Sequence, residues 1–389
     1  MKNPISKVCV LACLASTPAW AAFQLASFSA DVTIPLGHAC MGGGILPAQQ
    51  IVDPLEARGV VLIGGDKPLV LLSVDWCEIR NDAYDRFRDV LAEAASTTRD
   101  RVLISCVHVH DAPVVDFTAQ KLLDEHGLHR SLCDAKFAED CFQRTASALR
   151  EALKTAQRVT HYGAGQAEAK ELASNRRVKM PDGSVNYNRG SACADATLRA
   201  GDAGENDPIL RTLSFWNGDK PVAALHAFAI HPMSFYGKGG VSADFPGIAR
   251  RARQADMPDV FQIYFSGCSG DVVAGKWNDG NPANRPVLAE KIRAGMVAAW
   301  EKTERFPIET VTFRSAELTL EPKSSAGFTE DDMKAILADT SAKTFKRNLA
   351  AMGLSWRMRG AAGQPIEVPA VDFGKAKFLL MPAESFVGY

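Results

Sequence analysis

Two apolar runs, Val60 to Ile63 and Leu69 to Val74, are separated by the turn residues Gly64-Gly65-Asp66, and this spacing constrains the fold more than any other feature of the chain. Runs of that length bounded by glycines read as buried strands joined in a hairpin. The period then changes. Tyr84, Phe87, Leu91 and Ala94 fall on one face of a helix that Asp82 can cap, after which Val102, Leu103 and Ile104 return to a strand. Hairpin, helix and strand in succession predict an α/β fold, a mixed β-sheet core flanked by helices.

The remaining segments fit that class. Ala30 to Pro35 reads as a short strand, Leu210 to Trp216 and Val222 to Ile230 flank the hairpin signal Asn217-Gly218, and Val260 to Phe265 is a further strand. Residues 116 to 157 are expected to be helical, with Phe137, Cys141, Ala148 and Ala152 on the buried face. Pro286 opens a helix lined by Leu288, Ile292, Met296 and Ala299, residues 320 to 360 read as polar and mostly helical, and Lys375 to Met381 is the last strand. Residues 172 to 206 are loop-like, and so long a loop in a compact domain walls a site or closes over it. With no internal repeat, low-complexity tract or linker, one large domain over residues 22 to 389 is expected.

At 389 residues, 47% hydrophobic and 23% charged, the chain can bury a full core, and a net charge of -1 provides no basic footprint for nucleic acid. Small molecules or neutral surfaces are the expected partners; nothing in the sequence sets an oligomeric state. Residues 1 to 21 are expected to be a cleaved export signal, since Lys2 and Lys7 precede the apolar Val8 to Ala15 and Ala19-Trp20-Ala21 has a small-x-small pattern. A lipoprotein signal ending at Cys13 is the alternative. No later segment is long and apolar enough to span a bilayer, so a periplasmic or secreted protein is expected. Loss of Cys9 and Cys13 leaves seven of nine cysteines, so at least one thiol is unpaired or bonded to another chain.

The chemistry gathers at strand ends. In CVHVHDAP, residues 106 to 113, an extended chain points His108 and His110 to one face, about 7 Å apart at Cα. That suits one imidazole on a metal with the other facing substrate, or both on one ion; a pair of satisfied structural histidines is the plainer alternative. His231 stands at a second strand end, held extended by Pro232, and Glu384 follows the last strand. Two imidazoles and a carboxylate are a usual ligand set for catalytic zinc, which keeps a position open for water. His38, beside a glycine-rich loop, is a weaker candidate, and Asp75 either orients a histidine or caps a turn. The loop 267 to 280 contains Gly-Lys but lacks the spacing and hydroxyl of a P-loop.

These residues resemble motifs of the neutral ceramidase family, zinc amidohydrolases that cleave the N-acyl bond of ceramide. CVHVHDAP is similar to that family's THTHSGP, AIHPMSF to its histidine-proline block, and SADFPGIA to its block before the glycine loop. GCSGDVV resembles its GDVSPN region, LMPAES its PGE motif, Asp31 to Pro35 its opening DIT segment, and Asn175-Arg176 its Asn-Arg pair. The blocks keep their order from about residue 28 to 389.

The resemblance implies a fold like that family's catalytic domain and a zinc cofactor held by His108, His231 and Glu384. It also implies His110 at the scissile amide as a proton shuttle, and Arg176 on the polar part of a small-molecule or lipid substrate. Asp111, Asn175 and Asp271 lie in the same blocks and are expected to contact substrate. Three departures matter. Val273 replaces the serine of GDVSPN, and Asp111-Ala112 replaces Ser-Gly. The family's tyrosine ligand lies a few dozen residues beyond its PGE block, whereas this sequence ends at Tyr389, so the expectation is that Tyr389 stands in, that the sequence is a fragment, or that the position is open to water; no counterpart of the family's immunoglobulin-like C-terminal domain is expected within these residues. The expectation is an exported zinc hydrolase of an amide. The alternatives are a binding protein on the same scaffold that has lost catalysis, or a zinc hydrolase of a polar ester.

Overall fold

The computed structural model describes residues 23 to 388. The expected signal segment and Tyr389 lie outside the described residues. Ten principal strands form two five-stranded sheets. The first holds β1 (Gln24–Asp31), β2 (Glu56–Ile63), β3 (Leu69–Val74), β4 (Val102–Cys106) and β5 (Gln157–Arg158), with α1 (Asn81–Ala95), α2 (Phe117–Glu125) and α3 (Ala135–Leu153) between its last strands. The second holds β6 (His161–Glu168), β7 (Ile209–Asn217), β8 (Lys220–Phe228), β9 (Phe261–Ser266) and β10 (Glu304–Pro307), with α4 (Asp244–Asp256) and α5 (Asn284–Glu301).

The two sheets repeat one topology. In the first the order is β4-β3-β2-β1-β5, and in the second β9-β8-β7-β6-β10. Each has three antiparallel strands, then a helical crossover to a parallel fourth, then a helix leading to a short edge strand. No repeat in the sequence announces this duplication.

Side-chain alternation explains the layering. On β2 and β3, Val60, Leu62, Leu69 and Leu71 face the second sheet, where they meet Phe215, Leu225, Ile263 and Phe265. Their neighbours Val61, Val70, Leu72 and Val74 face the helices, against Phe87, Leu91 and Phe142. Phe87 of α1 and Phe142 of α3 stack with ring centroids 4.1 Å apart. Each such fully buried side chain contributes about 2 to 3 kcal/mol, so helices and sheets are bound into one core. On the second sheet α5 lies so close that a Cβ at Gly165 would collide with the Ala299 carbonyl. A third sheet of β11 (Thr312–Leu318), β12 (Ile366–Asp372) and β13 (Lys377–Leu379) adds Val371, Phe373 and Phe378 to the inter-sheet core. Two further helices, α6 (Glu330–Ala338) and α7 (Thr344–Ala361), precede β12.

Several expectations shift. The strand expected from Ala30 lies earlier, because the chain leaves the sheet at Val32, whose carbonyl accepts from the Trp76 indole at 2.9 Å. Asp82 does not cap α1; it sits inside the first turn and accepts from Thr118 Oγ1 at 2.8 Å, fastening α1 to α2. The helical stretch after residue 116 is broken into two helices, each capped by an aspartate: Asp116 accepts from Ala119 N and Asp134 from Phe137 N. All seven cysteines of the described residues are free thiols. No helix among the described residues is long and apolar enough to cross a membrane.

Candidate metal centre

Strand β4 ends at Cys106, so the simple alternation expected for His108 and His110 does not apply. His108 instead adopts a left-handed backbone, φ +73°, with its N–H donating to the Trp76 carbonyl at 3.0 Å. A non-glycine residue there is strained, and such strain persists where the surroundings fix it, often at functional sites. The turn still brings the two imidazoles together, with ring centroids 5.0 Å apart. His231, three residues beyond β8, is held by its N–H to the Val272 carbonyl at 2.9 Å, and its ring lies 4.7 Å from His108. Glu384 follows a second left-handed residue, Ala383 at φ +56°. It is seated where Gly270 N donates to the Ser385 carbonyl at 3.1 Å.

Main-chain carbonyls set the histidine tautomers. His108 Nδ1–H donates to Cys77 O and His231 Nδ1–H to Ser269 O, both at 2.9 Å. Each Nε2 thereby faces the Glu384 carboxylate, at 3.3 Å from His108 and 3.8 Å from His231. The three donor atoms lie within 4.8 Å of one another, and the Glu384 side chain is 49% exposed, so the group opens to solvent. Burial and the neighbouring His108 push His231 down to about 3. Burial opposes ionisation of Glu384, yet the histidines around it, His108 first, hold it at about 2. Burial opposes a charge on His108, yet Cys77 and Glu384 raise it well above its usual value, so its Nε2 proton would have to leave for a metal to bind, while His231 and Glu384 are already in the neutral and ionised forms that do so. The donor set thus fits zinc. Cys77, His108 and His110 form a second close group, but the His108 Nδ1 it would need is committed to Cys77 O.

His110 stands beside this triad with both ring nitrogens buried and without a hydrogen-bond partner among the described residues. Burial and the two adjacent imidazoles push it down to about 2, so it is neutral. A buried polar group with no partner is costly unless a ligand completes it. The Nε of Arg176 is likewise buried and unpartnered. Arg176 is aimed by its own N–H, which donates to the Asp271 carbonyl at 2.8 Å.

Asn175, Asp271 and Asp111, expected at the substrate, are all buried and bonded within the protein. Asn175 Nδ2 donates to Asp271 Oδ2 at 2.9 Å, the same oxygen that pairs with Arg177 at 2.7 Å. Asp111 Oδ1 accepts from Gly237 N at 2.8 Å. The loop 172 to 206 carrying Arg176 is knotted by Arg189, fully buried, whose guanidinium donates to the carbonyls of Asn175, Asp202 and Ala203. That makes it a wall. Val273 is buried in a strand pair with Ser174, whose hydroxyl donates to the Val273 carbonyl at 2.9 Å.

Two weaker candidates prove structural. His38 uses one ring nitrogen on Ala39 O and the other to accept from Asp134 N. Asp75 neither orients a histidine nor caps a turn; it takes both arms of Arg250, at 2.7 and 2.9 Å. Sequence reasoning missed Tyr236, whose ring lies 5.0 Å from His110, and Cys77, whose carbonyl orients His108. An aromatic in a glycine-flanked loop carries no periodic signal.

Paired sheets between helical layers, with donors meeting at the strand ends, define a neutral ceramidase-like fold. The structure of neutral ceramidase from Pseudomonas aeruginosa is similar with a TM-score of 0.58 and 15% identity, over 79% of this chain and 48% of that one. A ceramidase complexed with C2 is similar with a TM-score of 0.57 and 15% identity, over 79% of this chain and 47% of that one. The chain spans about half the length of the solved ceramidases it matches. No protein-family model matches the chain, and no curated protein matches it in sequence.

Proposed function

We propose that this chain is an exported, zinc-dependent hydrolase that cleaves the N-acyl bond of a small-molecule or lipid amide. The observation that carries the reading is the pair of Nδ1–H to carbonyl bonds that turn two Nε2 atoms toward the open Glu384 carboxylate. His108, His231 and Glu384 would hold the ion, and Tyr389 would be a fourth donor. Zinc in such a set supplies Lewis acidity and makes water nucleophilic near neutral pH. His110, neutral and unpartnered, accepts the proton of the attacking water and returns it to the amide nitrogen as the C–N bond breaks. Arg176 offers its free guanidinium edge to the carbonyl oxygen as negative charge develops there. Asn175 and Asp271 support Arg176 from behind.

The test is metal content followed by activity. Elemental analysis of the purified protein is expected to find about one zinc per chain, lost in His108→Ala and His231→Ala. The zinc-loaded protein is then expected to hydrolyse members of a panel of N-acyl amides. The buried Val273 supports a second reading, a metal-holding binder, because no hydroxyl is present at that position. Zinc bound at full occupancy with every N-acyl substrate left intact would favour it.

A further inference from the structure

The loop Ser234 to Gly237 is fastened at residue after residue by buried polar groups. Asp244 accepts from both Ser234 N, at 2.9 Å, and the Ser234 hydroxyl. Asn278 Nδ2 donates to the Ser234 carbonyl at 2.8 Å. Arg285 donates to the Ser234 hydroxyl and to the Phe235 carbonyl, and Gly237 N donates to Asp111 Oδ1. Asp111, Asp244 and Asn278 are all buried, a costly placement that these hydrogen bonds offset. What these bonds fix is Tyr236. Its side chain joins neither large hydrophobic core, so packing does not account for its placement. Instead its ring meets the edge of His110, with centroids 5.0 Å apart and planes 80° apart. Tyr236 is also near enough to Arg176 to act on it electrostatically.

We propose that Tyr236 contacts the substrate, its phenol O–H donating to the oxygen of the scissile carbonyl alongside Arg176, and that Asp111 is the positioning residue that holds Tyr236 there. This rests on the amide-hydrolase reading above. No bond to Tyr236 forms or breaks: water adds to the carbonyl carbon, the C–N bond cleaves, the proton goes to nitrogen, and the phenol keeps its own proton. Asp111 then acts through the loop, which explains why a residue next to His110 points away from solvent and onto Gly237 N.

The experiment uses the full chain loaded with zinc and acetohydroxamate as the probe, a carbonyl that binds an open metal position, with binding followed by calorimetry and zinc measured in every sample. Tyr236→Phe is expected to keep its zinc and bind the probe about five- to tenfold more weakly, the loss for one hydrogen bond. Asp111→Ala is expected to weaken binding similarly, and Asp111→Asn, whose amide oxygen still accepts from Gly237 N, to restore it. Should Asp111→Ala fail to fold, Tyr236→Phe decides alone. Zinc-loaded Tyr236→Phe binding as tightly as the parent would overturn the role of Tyr236 and leave the metal reading standing. A parent chain that holds no zinc would overturn both, and one that holds zinc and ignores the probe would overturn the role of Tyr236 alone.

Discussion

Gly270 and Glu384 lie so close that a side chain at 270 would strike the Glu384 carbonyl and the Phe386 ring. The contact is local to the glycine loop, yet it sets where the carboxylate of the candidate centre stands. Gly270→Ala is therefore expected to displace Glu384 and lower zinc affinity by about ten- to a hundredfold, the scale at which supporting contacts act on metal ligands. Zinc titration against a competing chelator measures this. A variant with unchanged affinity would mean that the carboxylate is not seated by this contact.

Metal removal is expected to cost stability, since an ion that binds the folded chain alone adds to it by mass action. Chelator should lower the melting temperature of the parent protein, and have little effect on His231→Ala, which lacks one donor from the outset. An equal drop in both would place the stabilising ion elsewhere.

Among the described residues Arg189 bonds no carboxylate; its guanidinium serves the main-chain carbonyls of Asn175, Asp202 and Ala203 instead. Losing both donors to the buried Asn175 carbonyl, and the weaker loss at Asp202 and Ala203, makes Arg189→Leu a destabilising change of about 1 to 3 kcal/mol. The loss should be concentrated in residues 174 to 204. Hydrogen exchange is expected to rise there first, with β1 to β4 still protected.

His226 supplies an acid-sensitive element in the core. It is fully buried, its Nδ1 meeting Thr212 Oγ1 at 2.8 Å and its Nε2–H donating to Gln262 Oε1 at 2.9 Å, and burial favours the neutral ring although the Gln262 bond opposes this. Burial lowers it from 6.5 to about 4. The unfolded chain then takes up this proton before the folded one does, so the contribution is complete above pH 6.5 and is lost as the pH falls toward 4. The loss is on the order of 3 kcal/mol. Denaturant unfolding at stepped pH should show it, and His226→Gln should flatten that part of the profile.

The sequence made the hairpins and the crossover strands plain, because Val60 to Ile63, Leu69 to Val74 and the Asn217-Gly218 turn are local signals. It also brought His108, His231 and Glu384 forward, since each ends or follows an apolar run. What it hid depends on distance along the chain. The Arg250–Asp75 ion pair joins residues 175 positions apart, and neither has a local pattern. Asp82 has the chemistry of a helix cap and was claimed by Thr118 of another helix. The duplicated sheet topology is invisible because backbone pairing repeats while side chains do not.

That duplication places the candidate ion at a seam. His108 follows the fourth strand of one copy and His231 the third strand of the other, so the two halves contribute from unequal positions, and Glu384 arrives from the added third sheet. An ion seated there would be a clasp across three separately built parts. Because donor–metal distances tolerate only about 0.2 Å, a slight shift of one half against the other would loosen its hold on the ion.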